Sequence, residues 1–444
     1  MPGHLEFDFG FGRSGRPRDE DEPMRLLVLG DFSGKPAAER PPLATRPIAR
    51  VDVDTLDDVM KRLAPRLRVP AGEIQFAQLD DFHPDRLYTR LELFQGLREA
   101  RANPQVGSGD LLGRLLGKSP EPTAPVATPA DGLDALIRNI VAPYIVKDTS
   151  DQSKAYLTAV DAAIEEQMRT LLHAPAFQSL EAVWRGVQWM ISSLELDENL
   201  QLHLFDVTRD ELLADIVAAQ GKLAETGLYR ALVDRWRGVP GGQGWSVLVG
   251  LIDFGPSNSD IGLLAALGLI ASQAGGPLLA GADRALAGDD AGELAAWHAL
   301  RRSEAAPWIG LAAPRVLLRL PYGKGSDPIE AFRFEEFAGQ PVHDEFLWGS
   351  ASLAAALLIG RSFTARGWQM ELGDEREIGD LPAYTFVQDG ERELQACGER
   401  YLTETEIQRL LTAGLIPVAS RRDRNAVVVI RFQSASDPPA PLAW

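Results

Sequence analysis

Residues 308–323, WIGLAAPRVLLRLPYG, lead into residues 328–349, PIEAFRFEEFAGQPVHDEFLWG, and no other part of the chain is as informative. Apolar side chains dominate the first run, which predicts a largely extended segment from Trp308 to Leu320 that ends at a Pro-Tyr-Gly break. Arg315 and Arg319 lie four residues apart inside this segment. The stretch is therefore too polar for a plain core strand, and it carries no recognisable catalytic constellation.

Buried arginines need carboxylate partners, because an unpaired charge is costly to remove from water. Glu335 and Glu336 follow the break. We expect Arg315 and Arg319 to pair with one of these glutamates across a contact between lobes or subunits. The alternative is a solvated strand edge. At a separate position, Trp184 is expected in the core and Arg185 beside a neighbouring carboxylate.

Composition indicates a globular protein of two or three domains: 444 residues, of which 45% are hydrophobic and 24% charged. The net charge of -18 argues against a nucleic-acid binder, since there is no excess of positive charge to neutralise phosphates. One cysteine, Cys397, excludes an intramolecular disulfide framework and suits a reducing cytoplasm.

Targeting and membrane segments are not expected. The N-terminus lacks a basic region followed by an apolar one, as a secretory signal requires. The longest apolar tract, Ile261 to Ala282, is interrupted in its middle by Ser272, Gln273 and glycines. A buried helix followed by a buried strand is therefore expected there, with no membrane insertion.

The chain divides into segments by composition. We expect a flexible leader at 1–23, a small α/β lobe at 24–102, a linker rich in Pro and Gly at 103–131, a larger α/β domain at 132–436 and a tail at 437–444.

Buried strands are predicted at 24–32, 73–79, 200–207, 245–254, 277–282 and 425–432. Helices are predicted to start after Thr55, near Pro84, at the Leu157 and Phe177 stripes, and at 261, 293 and 346. Capping boxes are predicted at Thr208 with Glu211 and at Thr403 with Glu406. Because strands alternate with helices, we predict α/β domains with a mixed, partly parallel sheet.

Ordered blocks of this sequence resemble the two sheath subunits of bacterial type VI secretion systems, which are relatives of contractile phage tails. LGDFSG, RPIARVDVDTLDDVM and LDDFHPDRLYTRLELFQGLREAR resemble the small subunit, of the TssB or VipA type. LLHAPAFQSLEAVWRGVQWMI, VTRDELLADI, LIDFGPSNSD, FRFEEF, FLWG, DLPAYTF and LTETEIQRLLTAGLIPVASRRDRNAVVVIRFQSAS resemble the large subunit, of the TssC or VipB type. The resemblance implies a structural protein without catalysis or cofactor. It also implies other sheath subunits, baseplate or tube proteins and a sheath-recycling ATPase as partners.

Two departures from the family pattern shape the expected role. The small- and large-subunit parts are fused in one chain, and the sequence stops soon after FQSAS, where large subunits continue. We therefore expect a specialised sheath component, such as a cap, an adaptor or a minor subunit. The alternatives are a monomeric regulator that limits assembly, and an α/β hydrolase. A hydrolase would need a Gly-x-Ser-x-Gly turn, and none is apparent.

The linker contains a candidate recognition helix. Its residues resemble the large-subunit helix that the recycling unfoldase binds: Asp110, Leu111, Leu112, Leu115 and Leu116. Glycines at 113 and 117 weaken a helix there. A linker that packs a local apolar patch is the equal alternative.

Other candidate chemical sites are weak. Adjacent carboxylates such as Glu335 and Glu336 point to different sides of a regular element and are not preset for joint acid–base chemistry. Leu318 stands where a phosphate loop ending in Gly323-Lys324 would need glycine, so a turn is predicted. Cys397 has no nearby histidine in sequence, and the six histidines lack zinc-site spacing. No metal or cofactor is therefore predicted.

Overall fold

The computed structural model describes residues 21–69, 72–102, 149–238, 242–290, 292–388 and 390–444. The predicted linker and the candidate unfoldase helix, Asp110 to Leu116, lie outside these residues. The strands are β1 (Met24–Gly30), β2 (Ile48–Val51), β3 (Arg66–Val69), β4 (Gly72–Gln75), β5 (Leu200–Asp206), β6 (Val247–Phe254), β7 (Leu278–Ala282), β8 (Ile309–Ala313), β9 (Val316–Leu317), β10 (Trp348–Gly349), β11 (Glu377–Ile378), β12 (Tyr384–Gln388), β13 (Glu391–Gln395), β14 (Leu415–Ser420) and β15 (Val427–Val429). The main helices are α1 (Leu56–Leu63), α2 (Pro84–Arg90), α3 (Gln95–Ala102), α4 (Thr149–Leu172), α5 (Pro175–Ser193), α6 (Arg209–Ala218), α7 (Asn258–Ala274), α8 (Ala295–Leu300), α9 (Ala351–Arg366) and α10 (Glu404–Thr412).

A nine-stranded sheet organises the larger compact unit, in the order β11-β15-β14-β8-β7-β6-β1-β5-β2. The six strands from β14 to β5 are parallel to one another. Antiparallel strands flank them, with β2 on β5 at one end and β15 on β14 at the other. The prediction of an α/β fold with a mixed, partly parallel sheet is confirmed.

Strand β1 lies inside this sheet, between β5 and β6. It pairs with β5 in parallel from Met24 opposite Leu200 to Gly30 opposite Asp206, and Leu26 to Leu29 pair with β6. All seven residues of β1 are buried, which explains the apolar run Leu26–Leu29 that follows Arg25. The small-subunit-like segment thus supplies a central strand to the sheet of the large-subunit-like segment.

The described residues form two compact units. Among the described residues, the larger unit contains those within 21–65, 179–320 and 342–444, and the smaller contains those within 66–102, 149–178 and 321–341. Residues 24–65 group with the later sheet strands because β1 and β2 hydrogen-bond to β5 and β6. In the smaller unit, β3 and β4 form an antiparallel hairpin, and the Phe76 and Phe82 rings stack at 4.1 Å and both contact the Phe177 ring edge-on.

Most predicted elements are present, and the differences have local causes. The tract from Ile261 to Ala282 forms α7 and then β7, and in the described part of the chain no helix is long and apolar enough to cross a membrane. The helix predicted to start after Thr55 is α1; it ends at Leu63 because Ala64 adopts a left-handed conformation, and Leu67 then lies in β3. The helix predicted from Phe346 begins at Ala351, where the Ser350 side chain caps it.

Candidate functional site

The carboxyl ends of β1 and β5 meet at one edge of the sheet because the two strands are parallel and in register. Asp206, the last residue of β5, is 7% exposed. Its Oδ1 accepts hydrogen bonds from the backbone N–H groups of Phe32 at 2.9 Å and Ser33 at 3.0 Å. The Ser33 hydroxyl donates to Oδ2 at 2.7 Å. A carboxylate of the large-subunit-like part therefore anchors the turn after β1.

Two buried arginines of the small-subunit-like segment complete this network. Arg40 Nη1 lies 3.3 Å from both Asp206 Oδ1 and Glu211 Oε2, and its Nη2 lies 2.5 Å from Asp31 Oδ1. Arg46 donates to Glu211 Oε1 at 2.7 Å and to the Asp206 carbonyl at 2.7 Å. Charge-assisted bonds of this kind are about twice as strong as neutral ones. The network ties residues 31–46 to the start of α6.

Glu211 has a second role in the same place. Its carboxylate accepts a hydrogen bond from the Thr208 backbone N–H, and its own N–H donates to the Thr208 hydroxyl, which confirms the predicted capping box. Burial acts to raise the pKa of Glu211, but the hydrogen bond from Arg46 and the other donors hold it below its usual value. Burial likewise raises the pKa of Asp31, against the opposing charge of Arg40. Glu211 is therefore held in its charged form by the arginines it binds.

Glu181 on α5 forms a second buried charge cluster, and it gives Arg319 and Arg185 their carboxylate. Its side chain is fully buried. Arg319 Nε donates to Oε1 at 2.8 Å, and Arg185 Nε donates to the same oxygen at 2.6 Å. Sequence reasoning named both arginines but missed Glu181. Its position one turn before Arg185 is the signal that could have identified it.

Arg315 binds Glu399, a residue that sequence analysis did not name. Arg315 Nε and Nη2 donate to Glu399 Oε1 at 2.9 and 2.6 Å, and the Arg315 backbone N–H donates to Oε2 at 3.0 Å. The two residues are 84 positions apart. No local spacing signals such a pair.

Glu335 and Glu336 both accept hydrogen bonds from backbone N–H groups of the smaller unit. Glu336 is 1% exposed, and its Oε2 accepts a hydrogen bond from the Tyr322 backbone N–H at 2.7 Å. Glu335 Oε1 accepts from the Lys324 backbone N–H at 3.2 Å. These bonds hold the turn that was predicted after the Pro-Tyr-Gly break. The proposed pairing of Glu335 or Glu336 with the arginines stays a prediction.

Trp184 is a core residue, as predicted. It is fully buried, its indole N–H donates to the Phe32 carbonyl at 2.9 Å, and its ring meets the Phe32 ring edge-on at 5.5 Å. The residue links α5 to the turn after β1. It therefore supports the same turn that Asp206 anchors.

A polar cavity of about 580 Å³ lies at the carboxyl ends of β6, β7 and β8, where many α/β enzymes bind substrates. Its lining includes Asp253, Asp283, Arg315, His343 and Glu399. His343 Nε2 lies 3.3 Å from Glu399 Oε1. The described residues that line this cavity include no serine, threonine or cysteine that could act as a nucleophile beside the histidine.

Cys397 is a free and buried cysteine. Burial raises the pKa of the Cys397 thiol, which opposes the thiolate form that a nucleophile requires. Within the described ranges, no group of three His, Cys, Asp or Glu residues is arranged to hold a metal ion. The geometry is that of charge networks that join chain segments.

Comparisons with known proteins agree with this arrangement. Residues 154–436 match the VipB family, described as a tail sheath N-terminal domain, and residues 7–106 match the type VI secretion system VipA family. The chain is 28% identical over 315 residues to the type VI secretion system sheath protein TssC1 of Pseudomonas aeruginosa, covering 66% of this chain and 63% of the relative. It is 32% identical over 90 residues to the sheath protein TssB1 of the same organism, covering 18% of this chain and 52% of the relative. The chain thus spans less than two thirds of the length of each relative.

Proposed function

This chain belongs to the VipB family of type VI secretion tail-sheath proteins, and on that premise we propose that it is a structural component of a contractile sheath. The observation that carries the proposal is the place of β1, a strand of the VipA-like segment that pairs with β5 and β6 of the VipB-like segment. Its work would be protein docking in the bacterial cytoplasm, without catalysis.

The fusion has a direct physical consequence. A strand on the same chain docks at a high effective concentration and in a fixed one-to-one ratio. Because β1 already fills the position between β5 and β6, a separate small subunit could not occupy that position without displacing it. The chain can therefore enter an assembly without recruiting a separate small subunit.

We propose on this ground a specialised role beside complete sheath subunits, as a cap, an adaptor at the baseplate end or a minor subunit. Its partners would be sheath subunits, with baseplate or tube proteins at the ends. Recognition by a sheath-recycling ATPase through residues 110–116 is a separate proposal. Deletion of those residues would leave ATPase binding unchanged if that proposal is wrong.

The test is to mix the purified chain with separately produced small and large sheath subunits and to follow the mixture by size exclusion and electron microscopy. We expect the chain to co-purify with large sheath particles. The competing function, a regulator that limits assembly, predicts small complexes and shorter or fewer particles. Failure to bind any sheath subunit would contradict both functions.

A further inference from the structure

Arg25 is a charged residue inside a central strand of the large sheet. It is the second residue of β1 and is 4% exposed. Burial lowers its pKa to about 10, against the opposing charge of Glu22, so the guanidinium stays charged at neutral pH. A buried charge is costly unless its surroundings replace the water that it loses. The contacts of Arg25 therefore have to compensate for that loss.

Two tryptophan rings of the VipB-like segment hold the Arg25 guanidinium. Its Cζ lies 4.4 Å from the ring centroid of Trp236 and 4.1 Å from that of Trp245. The two rings meet edge-on, with their centroids 5.1 Å apart and their planes at 65°. A guanidinium is attracted to the face of an aromatic ring, and the attraction is stronger where water is excluded. Trp236 and Trp245 thus form a receptor for a cation that β1 carries.

Three hydrogen bonds fix Arg25 to the same short stretch of chain. Its Nη1 donates to the Gln243 carbonyl at 3.0 Å, and its backbone N–H donates to the Ser246 hydroxyl at 2.9 Å. The Ser246 backbone N–H donates to the Arg25 carbonyl at 2.9 Å. Both the backbone and the side chain of Arg25 are therefore positioned against residues 243–246.

The four residues that follow Arg25 do not specify where along the sheet β1 lies. Leu26 to Leu29 are all aliphatic and at most 1% exposed. Successive side chains of a strand point to opposite faces, so a shift of two residues returns each aliphatic side chain to the face it left. Such a shift would place Leu27 over the tryptophans, or would move Arg25 into the position of Leu27 in the apolar core. Arg25 therefore distinguishes the observed register from those beside it.

We propose that Arg25, with the receptor formed by Trp236 and Trp245, sets the register in which β1 lies between β5 and β6. The contact acts on specificity more than on stability, because desolvation opposes the gain from a buried charge, whereas every shifted register loses the contact. At the other end of β1, the turn bound to Asp206 has the same effect. The strands belong to one chain, so this role holds whether or not the chain enters a sheath.

The register can be read from nuclear Overhauser contacts between methyl groups, in the full chain labelled at its leucine and valine methyls. In the observed register, Leu26 lies opposite Leu202 and Val28 lies opposite Leu204. A shift of two residues would bring Val28 opposite Leu202, or Leu26 opposite Leu204. The strongest contact of each β1 methyl group therefore reports the register directly.

Variants are compared in a Ser33→Ala background, which weakens the contact with Asp206 at the other end of β1 and leaves its backbone hydrogen bonds. Arg25→Met keeps an unbranched side chain without the charge, and it should produce a second set of β1 methyl resonances with the shifted contacts. The ratio of shifted to observed register should rise about tenfold, the effect of losing a contact of this kind. Arg25→Lys keeps a cation and should keep one set. Arg50→Met, which removes an exposed arginine of β2, is the matched control and should also keep one set.

Trp236→Leu tests the receptor from its other side. It removes one aromatic face from a partly buried position and should produce the same second set as Arg25→Met. A single set in the observed register for both variants would overturn the proposal, and so would a second set as large for Arg25→Lys as for Arg25→Met. Unfolding of both Arg25→Met and Trp236→Leu, seen as loss of methyl dispersion, would assign the contact to stability and would also overturn the role in register.

Discussion

The Nε atom of Arg319 lies 2.8 Å from Oε1 of Glu181, and the same oxygen accepts a hydrogen bond from Arg185. Glu181 is fully buried, whereas Arg319 comes from the segment that opens the most informative stretch of the sequence. The pair joins α5 to the chain that follows β9. Removing a carboxylate from such a site leaves buried positive charge behind.

Glu181→Gln should therefore lower the free energy of unfolding by about 3–5 kcal/mol, as expected for breaking a buried ion pair. The measurement is chemical denaturation followed by tryptophan fluorescence. Glu195→Gln is the control, since Glu195 is exposed and should change stability by about 0.5 kcal/mol or less. Similar losses for the two variants would contradict the structural role of Glu181.

Arg46 offers a test of how the small-subunit-like segment is held in place. Arg46→Met should destabilise the protein by about 3 kcal/mol or more, because it leaves Glu211 buried with fewer donors. Combined with Glu211→Gln, the double variant should lose less than the sum of the single losses, since the two side chains interact directly. Arg50→Met is a control on an exposed residue of β2. Additive losses would show that the Arg46–Glu211 pair is not coupled.

Two buried tryptophans should respond differently to loss of the indole N–H. Trp184→Phe removes a hydrogen bond to the Phe32 carbonyl and leaves that buried carbonyl unpaired, so a loss of about 1–3 kcal/mol is expected beyond the packing effect. Trp297→Phe removes a buried N–H that has no acceptor among the described residues, so beyond the packing effect it should cost nothing or even stabilise the fold. Thermal or chemical denaturation of both variants measures the contrast. An equal loss would contradict it.

His203 should make stability depend on pH. It lies in β5 against the Trp245 ring, and burial, with the charges of Arg25 and Arg50, lowers its pKa from 6.5 to about 3. The folded protein therefore keeps His203 neutral while the unfolded chain takes up a proton below about pH 6.5. Above that pH, protonation of His203 does not lower the free energy of unfolding. Below it, the free energy of unfolding falls by about 1.4 kcal/mol per pH unit as the pH drops toward 3.

The comparison of wild type with His203→Gln isolates this effect, because the other titrating groups are shared. Between pH 6.5 and pH 5, the stability advantage of the wild type should shrink by about 2 kcal/mol. Urea denaturation at several pH values measures it. A difference that stays constant with pH would show that His203 is not kept neutral in the fold.

Local patterns were sufficient to predict much of the fold. The Thr208–Glu211 and Thr403–Glu406 capping boxes marked two helix starts correctly, since capping depends on residues three positions apart. The apolar residues from Leu26 to Leu29 predicted a buried strand at β1. The α/β class followed from the alternation of such elements.

The remaining features depend on pairings that distant segments make. Nothing near β1 indicates that it would lie between β5 and β6, because its partners are more than a hundred residues away. The same holds for Arg315 with Glu399 and for Arg40 with Asp206. Glu181 is the exception, since its spacing from Arg185 was visible in the sequence.

Our central claim is that this chain enters a sheath through a sheet that its own β1 completes. The most direct test is electron microscopy of sheath particles that are assembled from separate small and large subunits in the presence of the gold-labelled chain. We predict label on the particles for the wild type and loss of label for Leu27→Asp, which places a charge on a fully buried residue of β1. A circular dichroism spectrum of the variant shows whether the loss reflects β1 or global unfolding. Absence of wild-type label from every particle would contradict the account.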